Sequence, residues 1–311
     1  MPFAAFRPLR HKADTETNNY LAAVCTGFLF RVDSKCRADF PVSSPENPWS
    51  EPSLVPMPEP PAPIAQAPSE NPVWNGWDVL QIVFLTIGSV VIFLPLVALA
   101  AQRLFYPKVA FVEIITFPLV TVVGQGFAYL VILAFMFSIV KRVPGQDFWQ
   151  AIRWNRPGNW SRYLLVGIAL AIALQGIAHF LPIPKEVPMD RFFKTPEEAW
   201  ALSLFGITFA PLLEELFFRG FLYPVLVRRL GVTIAVLATA AGFSLIHAPQ
   251  LGRAWAPVLV IFMVGLALTI TRAVTKSVAA SFITHMAYNS TLSVLLFIGT
   301  DGFRHLERLN Q

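Results

Sequence analysis

From about residue 74 onward, apolar residues come in runs of about twenty separated by short polar stretches, the pattern of helices that cross a bilayer. A Trp74-Asn75-Gly76-Trp77 anchor precedes the first run, 79–101. The second falls within 111–140 and should start near Pro118; the third is 163–181. The fourth, about 199–227, is interrupted at Pro211, where a kink or a fresh helix start is expected. A fifth run, 232–246, ends at His247-Ala248-Pro249, with the proline marking a helix stop. The sixth covers 254–271, and 277–298 forms the seventh, or two shorter pieces divided near Asn289. The expected fold is all-α: a polytopic transmembrane bundle of about seven spans, eight if the last run divides, around a polar cavity.

Ahead of these runs the pattern changes. Residues 1–73 are polar, with eleven prolines between Pro41 and Pro72 that interrupt any helix or central strand, so they read as a disordered tail and 74–311 as the transmembrane domain. An apolar patch at 20–30 follows Arg7, Arg10 and Lys12 and loosely imitates a signal peptide. Asp14, Glu16 and the lack of a clean small-residue cleavage site favour a tail that stays on the protein.

Composition agrees with the runs: 55% hydrophobic and 14% charged residues are far from a soluble average. Cys25 and Cys36 both lie in the tail, which excludes a disulfide core or a cysteine metal site within the spans. The net charge of +5 needs no nucleic acid. The loop 141–162 gathers Lys141, Arg142, Arg153, Arg156 and Arg162 against Asp147, with Trp149, Trp154 and Trp160 interleaved, as an interfacial segment beside lipid headgroups does. Nine Lys and Arg residues in the second, fourth and sixth loops against six in the others place the N-terminus in the cytoplasm.

Charge inside the spans is sparse, and charge in hydrocarbon, at about 2.5–3.5 kcal/mol on insertion scales, marks function by default. The fourth run carries Glu214, Glu215 and Arg219. On a helix Glu215 and Arg219 share a face and can pair, while Glu214, about 100° away, lacks that partner. Glu214 is therefore the group offered to a reaction, and the competing reading is a structural salt bridge. His247 ends the fifth run, four residues after Phe243; His285 in the seventh precedes Asn289 by four. Each pair shares a helix face. A lone histidine in an apolar helix is more often a satisfied core residue. A carboxylate, two imidazoles and an amide borne by separate helices make sense if they converge on one water.

The ordered set Glu214-Glu215-x-x-x-Arg219, Phe243-x-x-x-His247 and His285-x-x-x-Asn289 resembles the signature of the CPBP family, the type II CAAX prenyl proteases. That group includes the Ras-converting enzyme and bacterial lysostaphin-resistance-protein-A-like proteins. The resemblance covers about residues 140–300 and leaves the tail out. It implies an intramembrane endopeptidase with a water-filled cavity. Glu214 would activate water with His247, Glu215 and Arg219 would support the first motif with Phe243 packed beside the site, and His285 and Asn289 would bind the water or steady the oxyanion. Substrates would be peptides or membrane-associated proteins, prenylated where a CAAX box is processed.

Two histidines and a glutamate also resemble a zinc site, in which case Glu214, His247 and His285 are the ligands. Glu214 cannot readily be both ligand and base, and Glu215 is taken by Arg219, so the ligand count favours a metal-independent mechanism. Two other functions use the same residues: a non-proteolytic membrane factor of immunity or scaffold type, and a proton-coupled transporter. The transporter would be favoured by an internal repeat, and none is evident between the halves.

Overall fold

The computed structural model describes residues 71–184 and 187–307. All but Asn71, Pro72 and Val73 of the expected tail lies outside the described residues.

Ten α-helices and no strands make up the described residues. Helix α1 (Gly76–Leu104) starts from Asn75, whose side chain accepts from the Trp77 and Asp78 amides while Asp78 reaches back to the Asn75 amide. A one-turn α2 (Phe111–Ile114) leads to α3 (Pro118–Lys141), with proline at its first position as foreseen. The basic loop contains a single turn, α4 (Phe148–Ala151), before α5 (Trp160–Ala178). A 3-10 turn (Pro188–Phe192) precedes α6 (Pro196–Ile207), which opens with a Thr195/Glu198 capping box.

The fourth run breaks at Thr208 (φ −112°, ψ −73°), three residues before Pro211, and restarts as α7 (Phe209–Glu215). It widens into a π-helical segment, Leu216–Leu222, and continues as α8 (Tyr223–His247). Within α8, Gly231 (φ 78°, ψ 169°) adopts a backbone that only glycine holds without strain, and there the chain folds back. Phe218 before the bend stacks edge-on against Phe243 after it, at 5.3 Å between ring centres. Helices α9 (Trp255–Thr275) and α10 (Val278–Gly299) complete the bundle. The last helix is unbroken through Asn289, so the expected division into an eighth piece does not occur: no proline or glycine interrupts it there.

Among the described residues six helical stretches are long and apolar enough to cross a membrane, the fourth of them the whole of 196–247 with its two limbs. Phe84, Val91, Leu130 and Ile172 point outward and are well exposed, the arrangement expected where lipid replaces a partner.

Two of the apolar clusters in the bundle meet at the fourth run. One joins Trp74, Ile82, Met136, Ile139, Phe148, Leu216 and Phe221 across α1, α3, α4 and the π segment. The other joins Leu174, Phe218, Phe243, Val264, Leu268 and Tyr288 across α5, the π segment and α8 to α10. Trp74 fastens the first cluster by stacking on Phe221 at 4.3 Å and donating Nε1–H to its carbonyl at 2.9 Å. Asp78 pairs with Arg142, so the start of α1 is also tied to the end of α3.

Where lipid cannot drive helices together, close backbone approach does. A Cβ at Gly167 of α5 would lie 2.3 Å from the Thr284 carbonyl oxygen and 2.7 Å from the Ala287 methyl of α10. Gly176, on the same helix, faces open space. Gly167→Ala is expected to force α5 off α10 at a cost of about 1–3 kcal/mol, lowering the thermal unfolding midpoint in detergent, whereas Gly176→Ala leaves it unchanged or slightly raised.

Candidate active site

The two adjacent glutamates end α7, so the helix turn sends them to different places. Glu215 is fully buried, and its carboxylate is saturated. Oε1 accepts from Arg219 at 2.8 Å and from His285 Nδ1 at 2.9 Å, and Oε2 accepts from Ser281 at 2.5 Å. Arg219, equally buried, spreads its remaining donors over the Gly265 carbonyl (3.1 Å) and Thr269 (3.3 Å) of α9. Its guanidinium carbon lies 4.7 Å from the Phe243 ring centre and 5.8 Å from that of Phe218, a cation between aromatic faces. A backbone-close contact helps here too: a Cβ on Gly265 would sit 3.1 Å from Ala240.

Glu214 has no such cage. Its side chain is 17% exposed, and what faces it is two imidazoles: His285 Nε2 at 3.7 Å and His247 Nε2 at 3.9 Å. His247, the last residue of α8, meets the Phe243 carbonyl through Nδ1 at 2.7 Å. A carbonyl oxygen only accepts, so that nitrogen carries the hydrogen, and in a neutral ring Nε2 then holds the lone pair. The same logic applies to His285, whose Nδ1 meets the Glu215 carboxylate. In both rings Nε2 is thus the nitrogen that faces Glu214, at separations too long for a direct hydrogen bond and suited to a bridging water. Phe243 packs between, with ring centres 4.8 Å from His247 and 5.7 Å from His285.

A cavity of about 360 Å³ borders this cluster. Glu214 and His247 form one wall; Ile82, Thr86 and Val90 of α1 and Gln125 and Tyr129 of α3 supply others. A larger hollow of about 580 Å³, between the 187–196 stretch and residues 303–307, contains none of the motif residues.

The structure thus brings Glu214, Glu215, Arg219, Phe243, His247 and His285 together. Asn289 is placed differently from the expectation that it meets the water or the oxyanion. Half-buried one turn beyond His285, it donates Nδ2–H to the Gly206 carbonyl at 2.6 Å and is not part of the cavity wall. Its amide ties the helix of His285 to the end of α6, beside the break at Thr208. Ser281 and Thr269 complete the Glu215 and Arg219 cage and were not anticipated; Ser281 stands four residues before His285 on the same face, a spacing that could have revealed it. Gln125 and Tyr129, also four apart, carry the same legible spacing on α3.

Among the described residues no group of three or more His, Cys, Asp or Glu side chains is arranged to hold a metal ion.

Residues 196–291 match the model of a family described as type II CAAX prenyl endopeptidase Rce1-like. No curated protein and no solved structure matches. The matched stretch begins with α6 and contains all three motifs, and it supports membership of the family that those motifs resemble.

Removing one member of a buried ion pair strands the other charge, at a cost of about 3–5 kcal/mol. Arg219→Met is therefore expected to lower the thermal unfolding midpoint of the purified protein sharply. Glu214→Gln, which strands nothing, leaves it near the wild-type value.

Proposed function

We propose, from the match of residues 196–291 to the Rce1-like type II CAAX prenyl endopeptidase family, that this chain is an intramembrane endopeptidase in which Glu214 and His247 activate a water molecule. The observation that carries the reading is the contrast between neighbours: Glu215 is fully caged, whereas Glu214 is partly open, borders a cavity and faces the Nε2 atoms of two imidazoles. A water placed there donates one hydrogen to Glu214 and the other to an imidazole Nε2, which aims an oxygen lone pair away from both.

Attack on a peptide carbonyl carbon then transfers the water proton to Glu214, a positioned general base within reach. Collapse of the tetrahedral intermediate breaks the C–N bond, and the leaving amine takes that proton from Glu214. His285 keeps its orientation through Glu215, and Glu215 keeps its own through Arg219 and Ser281. These are positioning roles, as is that of Asn289, which holds the His285 helix against the end of α6. No step of this scheme is routed through a metal ion.

The walls on α1 and α3 are largely apolar, which suits a peptide delivered from a membrane or carried by a membrane-associated protein. The basic loop 141–162 supports an orientation with the N-terminus in the cytoplasm.

Proteomics of protein N-termini in cells carrying wild type or Glu214→Ala tests the reading. Specific termini should vanish with Glu214→Ala, and their rate of formation should fall about 10²–10⁴-fold with His247→Ala. Unchanged termini with all three of Glu214→Ala, His247→Ala and His285→Ala, in normally folded protein, would instead favour a non-proteolytic membrane factor. A chelator should leave cleavage intact; inhibition that zinc reverses would replace this mechanism with a metal-dependent one.

A further inference from the structure

We propose that the hollow of about 580 Å³ between the 187–196 stretch and residues 303–307 binds an anionic phosphoester, carried by a lipid or free in solution, through Arg191, Lys194 and Arg304. This hollow shares no residue with the cavity beside Glu214, and the inference stands apart from the peptidase reading. Arg191 and Lys194 come from the segment before α6 and Arg304 from the far end of the chain, so the fold rather than the local sequence collects them. Among the described residues none of these three side chains has a hydrogen-bond or ion-pair partner. Both acids in the lining are already engaged. Asp190 accepts from the Val187 amide at 2.7 Å, and Glu307 accepts from His305 at 2.9 Å. The lining is net positive, and a concave positive site concentrates anions.

Phosphate suits these donors. A guanidinium presents paired N–H groups that match two phosphate oxygens, and an ammonium adds a point charge. The volume falls in the range of sites that enclose a small organic molecule rather than a bare ion. Pro188, Phe193, Pro196, Phe303 and Leu306 line it with apolar surface that takes the organic part of an ester.

The place in the fold points the same way. The hollow lies past the ends of α5 and α10 and at the start of α6, where membrane-crossing stretches give way to the headgroup zone. Trp200, half exposed, meets Phe303 edge-on at 5.2 Å between ring centres, as a tryptophan at a membrane boundary does. The turn that carries Arg191 (Pro188–Phe192) rests on the segment after His247. Met189 donates its N–H to the Gln250 carbonyl at 3.1 Å, and Pro188 Cδ lies 3.4 Å from where Gly252 would bear a Cβ. A bound ester therefore bridges this turn to the C-terminal segment and holds both in place.

The test titrates full-length protein, freed of phospholipid in dodecyl maltoside micelles, with phosphatidylglycerol, phosphatidylcholine and glycerol 3-phosphate. Native mass spectrometry counts bound molecules, and the thermal unfolding midpoint is followed alongside. Phosphatidylglycerol or glycerol 3-phosphate should bind and raise the midpoint by about 2–4 °C near saturation. A response to the lipid only identifies a headgroup; a response to glycerol 3-phosphate identifies a site open to soluble esters. Arg191→Gln and Arg304→Gln should each weaken binding about tenfold or more. Adding Lys194→Gln to both should abolish the rise while leaving the ester-free midpoint at the wild-type value, since all three side chains are exposed. A control carrying Lys141→Gln, Arg156→Gln and Arg162→Gln in the basic loop should respond as wild type does. Four results overturn the inference: neither ester binds, phosphatidylcholine binds equally well, the triple variant at the hollow keeps its response, or the basic-loop control loses it to the same extent.

Discussion

Everything in the bundle's centre answers to one demand: a carboxylate and a guanidinium, Glu215 and Arg219, are both fully buried among apolar helices. Such a pair is tolerated only when its remaining lone pairs and hydrogens are satisfied. Satisfying them recruits Gly265 and Thr269 from α9 and Ser281 and His285 from α10, so three separate stretches of chain are brought to a common register. The pair contributes little net stability by itself. Its effect is specificity, since a helix shifted by one turn would leave a charge without a partner.

From that fixed point the different surroundings of the two glutamates follow. Two glutamates adjacent in sequence differ by one helical step, which is enough to enclose one and present the other to a cavity. The π segment that follows them widens the turn at the place where the fourth run meets both apolar clusters, and such insertions are common where function needs a side chain re-aimed. Phe218, Phe221 and Trp74 fill the room it makes.

Much of this was legible in the linear pattern, for identifiable reasons. The helices were visible because apolar runs of spanning length leave few alternatives, and the pairing of Glu215 with Arg219 follows from a four-residue spacing that any helix converts into contact. The break near Pro211 was visible too, although it falls at Thr208, because a proline disturbs the turn before it. Other features have no local signature. The π segment arises from tertiary packing, with Trp74 donating to the Phe221 carbonyl from 147 residues away. The direction of Asn289 depends on a carbonyl of another helix. Gln125 and Tyr129 share a face by their four-residue spacing, but they lie in an uncharged span, so the spacing alone does not mark them as cavity residues.

The tethering of α1 has a mechanical corollary. Trp74 to Phe221 and Asp78 to Arg142 tie its first turn, while the residues that line the cavity, Ile82 to Val90, follow farther along. Beyond them Phe93 stacks on Phe127, Leu94 comes close to Gly124, and Gln102 donates to the Val109 carbonyl at 2.9 Å. The lining stretch is thus held from both ends, like a string between two pegs, and protein contacts rather than lipid set the span of the compartment.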